Sequence, residues 1–174
     1  MRAKKAAARR ARSTSERHRS LLVVNGIGLL ISALISGWLH FFQLLGEIDL
    51  WPFVRHVQFA VPGEDRAWVM AHLEGITSGL LLIALAPGSR YLRLSPRQFG
   101  ILFWCALAFG WLFTLPAIAW FGTRGLVFGG GPWGPSLAND IIFRLGWPAM
   151  VGVHIAFALL AWGAWQHYRN IDRS

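Results

Sequence analysis

The sequence predicts an all-α integral-membrane protein, a bundle of four transmembrane helices with both termini in the cytoplasm. Of the 174 residues, 55% are hydrophobic and only 14% are charged. The apolar residues fall into four segments, each near the length of about 20 helical residues that a bilayer core requires. They are roughly 21–45, 68–86, 99–121 and 145–165. Because backbone polar groups in lipid must pair within the protein, each segment is expected to be a helix.

The basic residues predict the orientation of these helices. With four spans, thirteen of the 17 Lys and Arg lie on one side of the membrane, in the first nineteen residues, the loop between the second and third spans, and the C-terminal tail. The positive-inside rule places that side in the cytoplasm, as in a multi-pass protein of a bacterial-type inner membrane. Topology and contact with anionic lipid therefore explain the net charge of +9 without a nucleic-acid partner. A basic arm that binds nucleic acid is the alternative.

The chain divides into one membrane domain and two tails. Residues 1–20 are rich in Ala, Arg and Ser and have no apolar face, so we expect a disordered tail. Residues 21–168 form the membrane domain, and 169–174 are a short tail. The outer loop 46–67 is long enough to supply a lid or a pocket wall. The single cysteine, Cys105, excludes an internal disulfide and a cysteine-based metal site.

Small residues mark the helix faces that are expected to pack closely. The first segment carries Gly28, Ser32 and Ser36 at four-residue spacing, and the second carries Gly75 and Gly79 as a GxxxG step. In the second segment, the stretch at 70–85 also contains a histidine, seven residues before the second glycine. That spacing puts the histidine on the packed face rather than toward lipid.

The third and fourth segments are separated by a loop rich in glycine and proline. The third is rich in Trp and Phe and carries Gly110 and Pro116 as kink or contact points. Residues 121–140 follow, with six glycines and two prolines, which favours a folded-back loop. Pro148 lies near the start of the fourth segment, where proline is tolerated.

Four ionisable residues are expected in the outer half of the bilayer, namely His40, His72, Glu74 and His154. Such groups are costly in lipid and by default mark a working site. Imidazole binds metals and haem iron, and a nearby carboxylate could orient the ring or exchange a proton. The alternative is that each histidine only hydrogen-bonds to a neighbouring helix. Motifs of the common soluble enzymes, such as HExxH and GxSxG, do not occur in the sequence.

Several stretches resemble styrene oxide isomerase and the related hydroxylaminobenzene mutases. They are VPGEDRAWVMAHLEGITSG, the LRLS turn, RGLVFGGGPWGP and NDIIF, in consistent order over most of residues 60–165. The resemblance implies a small membrane oligomer, a trimer in the isomerase, with haem b held by the histidine of the AH motif. That residue is His72, and Gly75 and Gly79 would lie beside the cofactor. Ferric iron would act as a Lewis acid, turning an epoxide into an aldehyde, or a hydroxylamine would rearrange to an aminophenol.

The chain departs from the isomerase pattern at the groups that would contact substrate. Ser78 stands where the family usually has asparagine, and Phe109 stands where the isomerase has aspartate. The third segment also lacks the isomerase's tyrosine. Ser78 and Glu74 are therefore the nearest polar candidates to contact a small apolar substrate, and a changed substrate or a lost activity is expected.

Two further functions remain open at this point. One is a haem electron carrier with two axial histidines, His72 together with His154 or His40. The other is a membrane protein without cofactor in which all three histidines are structural.

Overall fold

The computed structural model describes residues 2–112, 114 and 137–171. Four helices account for most of them: α1 (Arg2–Leu45), α2 (Asp65–Gly88), α3 (Pro96–Leu112) and α4 (Leu137–Tyr168). Two short antiparallel strands, β1 (Glu47–Leu50) and β2 (Val54–Gln58), join α1 to α2, and a 3-10 turn at Ser89–Tyr91 follows α2.

Three stretches are long and apolar enough to cross a membrane, namely Thr14–Leu45, Asp65–Tyr91 and Gly146–Tyr168. They correspond to the first, second and fourth predicted spans. Many large apolar side chains on them point outward, such as Leu44 at 66% exposed, as expected where the surrounding solvent is lipid. The third predicted span, 99–121, is helical as far as Leu112, and most of its remainder lies outside the described residues.

The N-terminal tail differs from its prediction, because α1 begins at Arg2 instead of near residue 21. Alanine and arginine are among the strongest helix formers, and residues 2–12 consist almost entirely of Ala, Arg and Lys. A preformed membrane helix also removes the cost of nucleating a new one, so the tail continues it.

Helices α1 and α2 form the tightest pair, and they run antiparallel. A Cβ added to Gly26 would lie 2.7 Å from the carbonyl oxygen of Gly79, and one added to Gly79 would lie 2.8 Å from the carbonyl oxygen of Gly26. Further along, a Cβ on Gly75 would lie 2.8 Å from the Cβ of Ala33. The predicted GxxxG packing face of α2 is therefore confirmed.

The predicted small-residue stripe of α1 does approach another helix, namely α3, and a second stripe meets α2. Gly28 of the predicted stripe faces α3, where a Cβ would lie 3.2 Å from the ring of Trp111. Ser32 and Ser36 are buried, and the Ser36 hydroxyl donates to the Ser32 carbonyl. The stripe that meets α2 consists of the small residues Gly26, Ala33 and Gly37. Helix α1 thus has two small-residue faces, one for each neighbour.

Helix α3 lies beside the α1–α2 pair, and α4 packs antiparallel on α3. The indole of Trp111 donates from Nε1 to Oδ1 of Asn25 at 2.9 Å, which links α3 to α1. A Cβ on Gly152 of α4 would lie 3.6 Å from Cys105 of α3, and the backbone N–H of Arg93 donates to the carbonyl of Gly163. These contacts place the chain segment before α3 against the C-terminal half of α4.

The loop after α1 is an ordered hairpin. Glu47 pairs with Gln58 and Leu50 with Val54, and an irregularity between them leaves Arg55 and His56 opposite Asp49. His56 has φ 51°, a left-handed conformation that a bulge can require. This geometry brings Nδ1 of His56 within 3.0 Å of the Glu47 carboxylate. Part of the loop that could supply a lid or a pocket wall is thus a small sheet, and that role stays a prediction.

We predict that Gly26→Ala destabilises the protein by about 1–3 kcal/mol, the usual cost of forcing an extra methyl group into a packed interface. The neighbouring atom is a backbone carbonyl, which cannot rotate away. The thermal midpoint of the detergent-solubilised protein measures the effect. Gly100→Ala is the matched control, because its Cβ would meet nothing within 4 Å and should be neutral or stabilising. Equal midpoints for the two variants would contradict the packing.

We predict that the hairpin is most stable at acidic pH. The hydrogen bond to Glu47, with the charges of Glu47 and Asp49, raises the pKa of His56 above its ordinary value of 6.5. A raised folded-state pKa contributes stability that is complete below 6.5 and is lost as the pH rises through the folded value. NMR titration of the His56 ring should give a higher pKa in the unchanged protein than in the Glu47→Gln variant. An identical pKa in the variant would contradict the assignment.

Candidate functional site

His72 lies on the face of α2 that packs against α1, as its spacing from Gly79 predicted. Its Nδ1 is 2.8 Å from the backbone carbonyl oxygen of Ala33. A carbonyl oxygen can only accept, so Nδ1 carries the proton and donates it across the two helices. Nε2 is then the ring nitrogen that is left to bind a partner.

The backbone of α1 makes room for this ring at Gly37. A Cβ at that position would lie 2.8 Å from both Cε1 and Nδ1 of His72. Any side chain there would push the ring away from the Ala33 carbonyl. Gly37 and Ala33 are residues of the candidate site that sequence reasoning missed. The signal for them is the run of small residues at 26, 33 and 37, seven and then four residues apart, which marks one helical face.

The arrangement of His72 suits a metal ligand. Histidines that bind metals commonly donate their second ring N–H to a carbonyl or carboxylate, which fixes the ring and raises its basicity. Within the described ranges no residue hydrogen-bonds to Nε2 of His72. The donor set therefore fits an axial nitrogen ligand to haem iron, with Ala33 supplying the supporting carbonyl.

Gly75 and Gly79 face α1 in the structure. Gly75 lies against Ala33 and the Leu29 carbonyl, and Gly79 lies against Gly26. Both positions hold the two backbones together and so fix where His72 meets α1. Their predicted contact with a cofactor stays a prediction.

Glu74 and Ser78 lie on another face of α2. At 100° per residue, Glu74 is about 160° around the helix from His72, and Ser78 is about 120° around. Glu74 is half-buried and Ser78 is 5% exposed. Among the residues that the structure describes, none hydrogen-bonds to either side chain. The structure does not bring this pair to His72 within one chain.

A narrow apolar cavity continues the stripe of Glu74 and Ser78 toward the opposite end of α2. It lies between α2, α3 and α4, and its volume is only about 20 Å³. Leu81 and Leu85 contribute from α2, three and seven residues after Ser78 on the same stripe, and Phe109 contributes from α3. Phe109, where the resemblance predicted a departure from aspartate, places an aromatic ring in this wall.

His40 and His154 have partners of their own. Nε2 of His40 is 2.6 Å from Oδ1 of Asp65, which joins the outer ends of α1 and α2. Nδ1 of His154 is 2.7 Å from the Met150 carbonyl of its own helix. In the part of the chain that the structure describes, neither ring hydrogen-bonds to His72.

The hairpin holds a second polar cluster that sequence reasoning did not identify. Ligand-type atoms of Glu47, Asp49 and His56 lie within 4.8 Å of one another. The spacing of these three residues matches no recognisable motif. They are close together because the bulge opposite Asp49 turns His56 toward the two carboxylates. The His56 ring hydrogen-bonds to Glu47 and lies 4.0 Å from Oδ2 of Asp49, whose Oδ1 is buried without a hydrogen-bond partner among the described residues.

Comparison with known proteins gives the family. The model of the family described as styrene oxide isomerase matches residues 18–165. No curated protein matches the chain. The matched range contains all of α2 and α3, the contact between His72 and Ala33, and the cavity between α2, α3 and α4. Because this range covers most of its length, the chain belongs to the styrene oxide isomerase family.

Proposed function

We propose that the protein is a membrane-embedded, haem-dependent isomerase that acts on a small apolar substrate. The substrate would be an epoxide that rearranges to an aldehyde, or a hydroxylamine that rearranges to an aminophenol. The observation that carries the proposal is the imidazole of His72, which donates from Nδ1 to the Ala33 carbonyl and keeps its Nε2 lone pair free within a chain of this family.

His72 is the residue that would hold haem b. Bound there, haem iron would supply a Lewis acid for the oxygen or nitrogen atom of the substrate. The contribution of the protein is to fix the tautomer and the plane of the ring. The Ala33 carbonyl does so by accepting the Nδ1 proton, and Gly37 does so by leaving the ring its space.

Ser78 and Glu74 are proposed as the polar groups that contact substrate. A serine hydroxyl can donate one hydrogen bond to a substrate oxygen, and a half-buried carboxylate can accept or give a proton. Both stand at one end of the apolar stripe that continues through Leu81 and Leu85, which suits a small apolar molecule arriving through lipid.

Ser78 and Glu74 lie on a different face of α2 from His72. This separation supports a homo-oligomer, which the resemblance implies is a trimer. A single chain turns His72 and Glu74 to nearly opposite faces of α2, so one active site can use both only if a second copy supplies one of them. Substrate would then lie between copies, with the imidazole of one chain facing the polar pair of the next.

The proposed topology has four spans, with both termini and the 89–95 connection in the cytoplasm of a bacterial-type inner membrane. The antiparallel pairs α1–α2 and α3–α4 support it, as does the excess of Lys and Arg at one end. The rival electron carrier needs a second axial histidine. Nε2 of His40 pairs with Asp65, and His154, whose Nδ1 contacts the Met150 carbonyl, does not hydrogen-bond to His72 in the part of the chain that the structure describes. No observation favours that function.

We predict that His72→Ala purifies without the Soret band of the unchanged protein, because it removes the iron ligand. Ultraviolet–visible spectra before and after dithionite measure the bound haem. His40→Ala and His154→Ala are the matched controls, and both should keep the band. If His72→Ala retains the haem of the unchanged protein, the assignment of the ligand is wrong. If His154→Ala or His40→Ala loses it as well, two histidines ligate and the electron carrier is favoured.

We predict that Gly37→Ala lowers haem affinity by about 10-fold while leaving His72 in place, because loss of a supporting hydrogen bond to a ligand histidine has effects of this size. The added methyl group would displace the ring from the Ala33 carbonyl. Haem titration of the apoprotein provides the measurement. Gly100→Ala is the control for an added methyl group in an open position. Unchanged affinity in Gly37→Ala would show that the Ala33 contact does not matter for binding.

A further inference from the structure

We propose that the end of the molecule opposite the hairpin carries a binding site for the phosphate group of an anionic phospholipid, built around Arg19. This site is separate from His72 and does not rest on the reaction proposed above. It lies where α1, the connection after α2 and the start of α3 meet.

A cavity at this junction has the mixed character of a lipid headgroup boundary. Its volume is about 80 Å³, and it is partly open to the surroundings. The polar side is formed by Ser15, Arg19 and Ser89, and the apolar side includes Leu92, Leu94 and Phe99. A phospholipid presents the same two chemistries at one depth, a phosphate next to the beginning of its acyl chains.

The Arg19 side chain is held in position for binding. Its Nε donates to Oγ of Ser89 at 2.9 Å, and its guanidinium carbon lies 5.6 Å from the ring centroid of Phe99. Ser89 in turn donates to the Ala86 carbonyl at 2.8 Å. Only 22% of the Arg19 side chain is exposed. An arginine fixed in this way loses little side-chain entropy when it binds an anion, and its remaining N–H groups match phosphate oxygens in geometry.

The charge around the cavity favours an anion. Arg90, Arg93 and Arg97 are exposed on the connection and the first turn of α3. The N-terminus of α3 at Pro96 adds a partial positive charge, and Pro96 itself lines the cavity. Glu16 is the only carboxylate at this end among the described residues; it accepts from Arg19 at 2.8 Å but is 52% exposed. A phosphate can therefore bind Arg19 alongside Glu16 or replace it.

The position of the site in the chain argues for a lipid rather than a free anion. Arg19 stands two residues before Leu21, where the long apolar run of α1 begins, so the cavity lies at the expected depth of the headgroups. A free phosphate ion would gain nothing from the wall of Leu92, Leu94 and Phe99. Basic pockets between membrane helices at this depth are typical sites for anionic headgroups.

Native mass spectrometry of the full-length protein in detergent tests the proposal. The probes are short-chain phosphatidylglycerol, phosphatidylcholine of equal chain length, and inorganic phosphate. We expect one tight phosphatidylglycerol per chain, and binding about 10-fold weaker in Arg19→Gln, the scale of one lost charge-assisted hydrogen bond. Arg17→Gln is the matched control, because it removes the same charge from an exposed position on the same helix that does not line the cavity.

A second pair of variants keeps Arg19 and its contacts in place. Ser15→Glu puts a carboxylate into the cavity and should abolish tight phosphatidylglycerol binding, whereas Ser20→Glu adds the same charge at an exposed position and should preserve it. Undiminished binding in Ser15→Glu and Arg19→Gln would overturn the site, as would equal losses in the two controls. Competition by inorganic phosphate at equal concentration, or equal binding of phosphatidylcholine, would overturn the assignment to an anionic lipid.

Discussion

The contact between the α1 and α2 backbones sets the geometry on which the candidate site depends. In lipid, apolar side chains gain little from leaving the solvent, so helices associate through close packing and polar contacts. Gly26 and Gly79 let each backbone approach the carbonyl of the other. That approach brings the imidazole of His72 within hydrogen-bond distance of Ala33. A wider separation of the two helices would leave the Nδ1–H without a partner in a medium that offers none.

The same contact determines the chemistry available at His72. One ring nitrogen of an imidazole at membrane depth must still find an acceptor for its N–H. The fold directs the Nδ1–H of His72 to a backbone carbonyl and leaves Nε2 for another partner. His40 shows the contrasting case, since its Nε2 meets the carboxylate of Asp65 where α1 ends and α2 begins. The two rings therefore differ in which nitrogen is engaged and in the chemistry of its partner.

The sequence predicted the features that follow from residue spacing along one helix. It did not predict the features that depend on how one helix is placed against another. The GxxxG face of α2 and the direction of His72 follow from counting residues along a single helix, and both are confirmed. The second small-residue face of α1, with Gly37, could not be assigned, because two stripes of small residues compete and only the partner's position selects between them. The hairpin cluster was missed because a bulge, which has no sequence period, brings Asp49 to His56.

His72 and Glu74 lie on different faces of α2, and the packing of one face against α1 explains why. One face of α2 is occupied by α1, so the polar residues that are not part of this contact must turn toward α3, α4 or another molecule. Ser78 does so without a partner in the part of the chain that the structure describes, beside a cavity whose remaining wall is apolar. Many large apolar side chains are exposed on the helices, so in the proposed oligomer a second copy would approach these surfaces without desolvating charge. A site shared between two chains would then accommodate the separation of His72 from Ser78 and Glu74 on one helix.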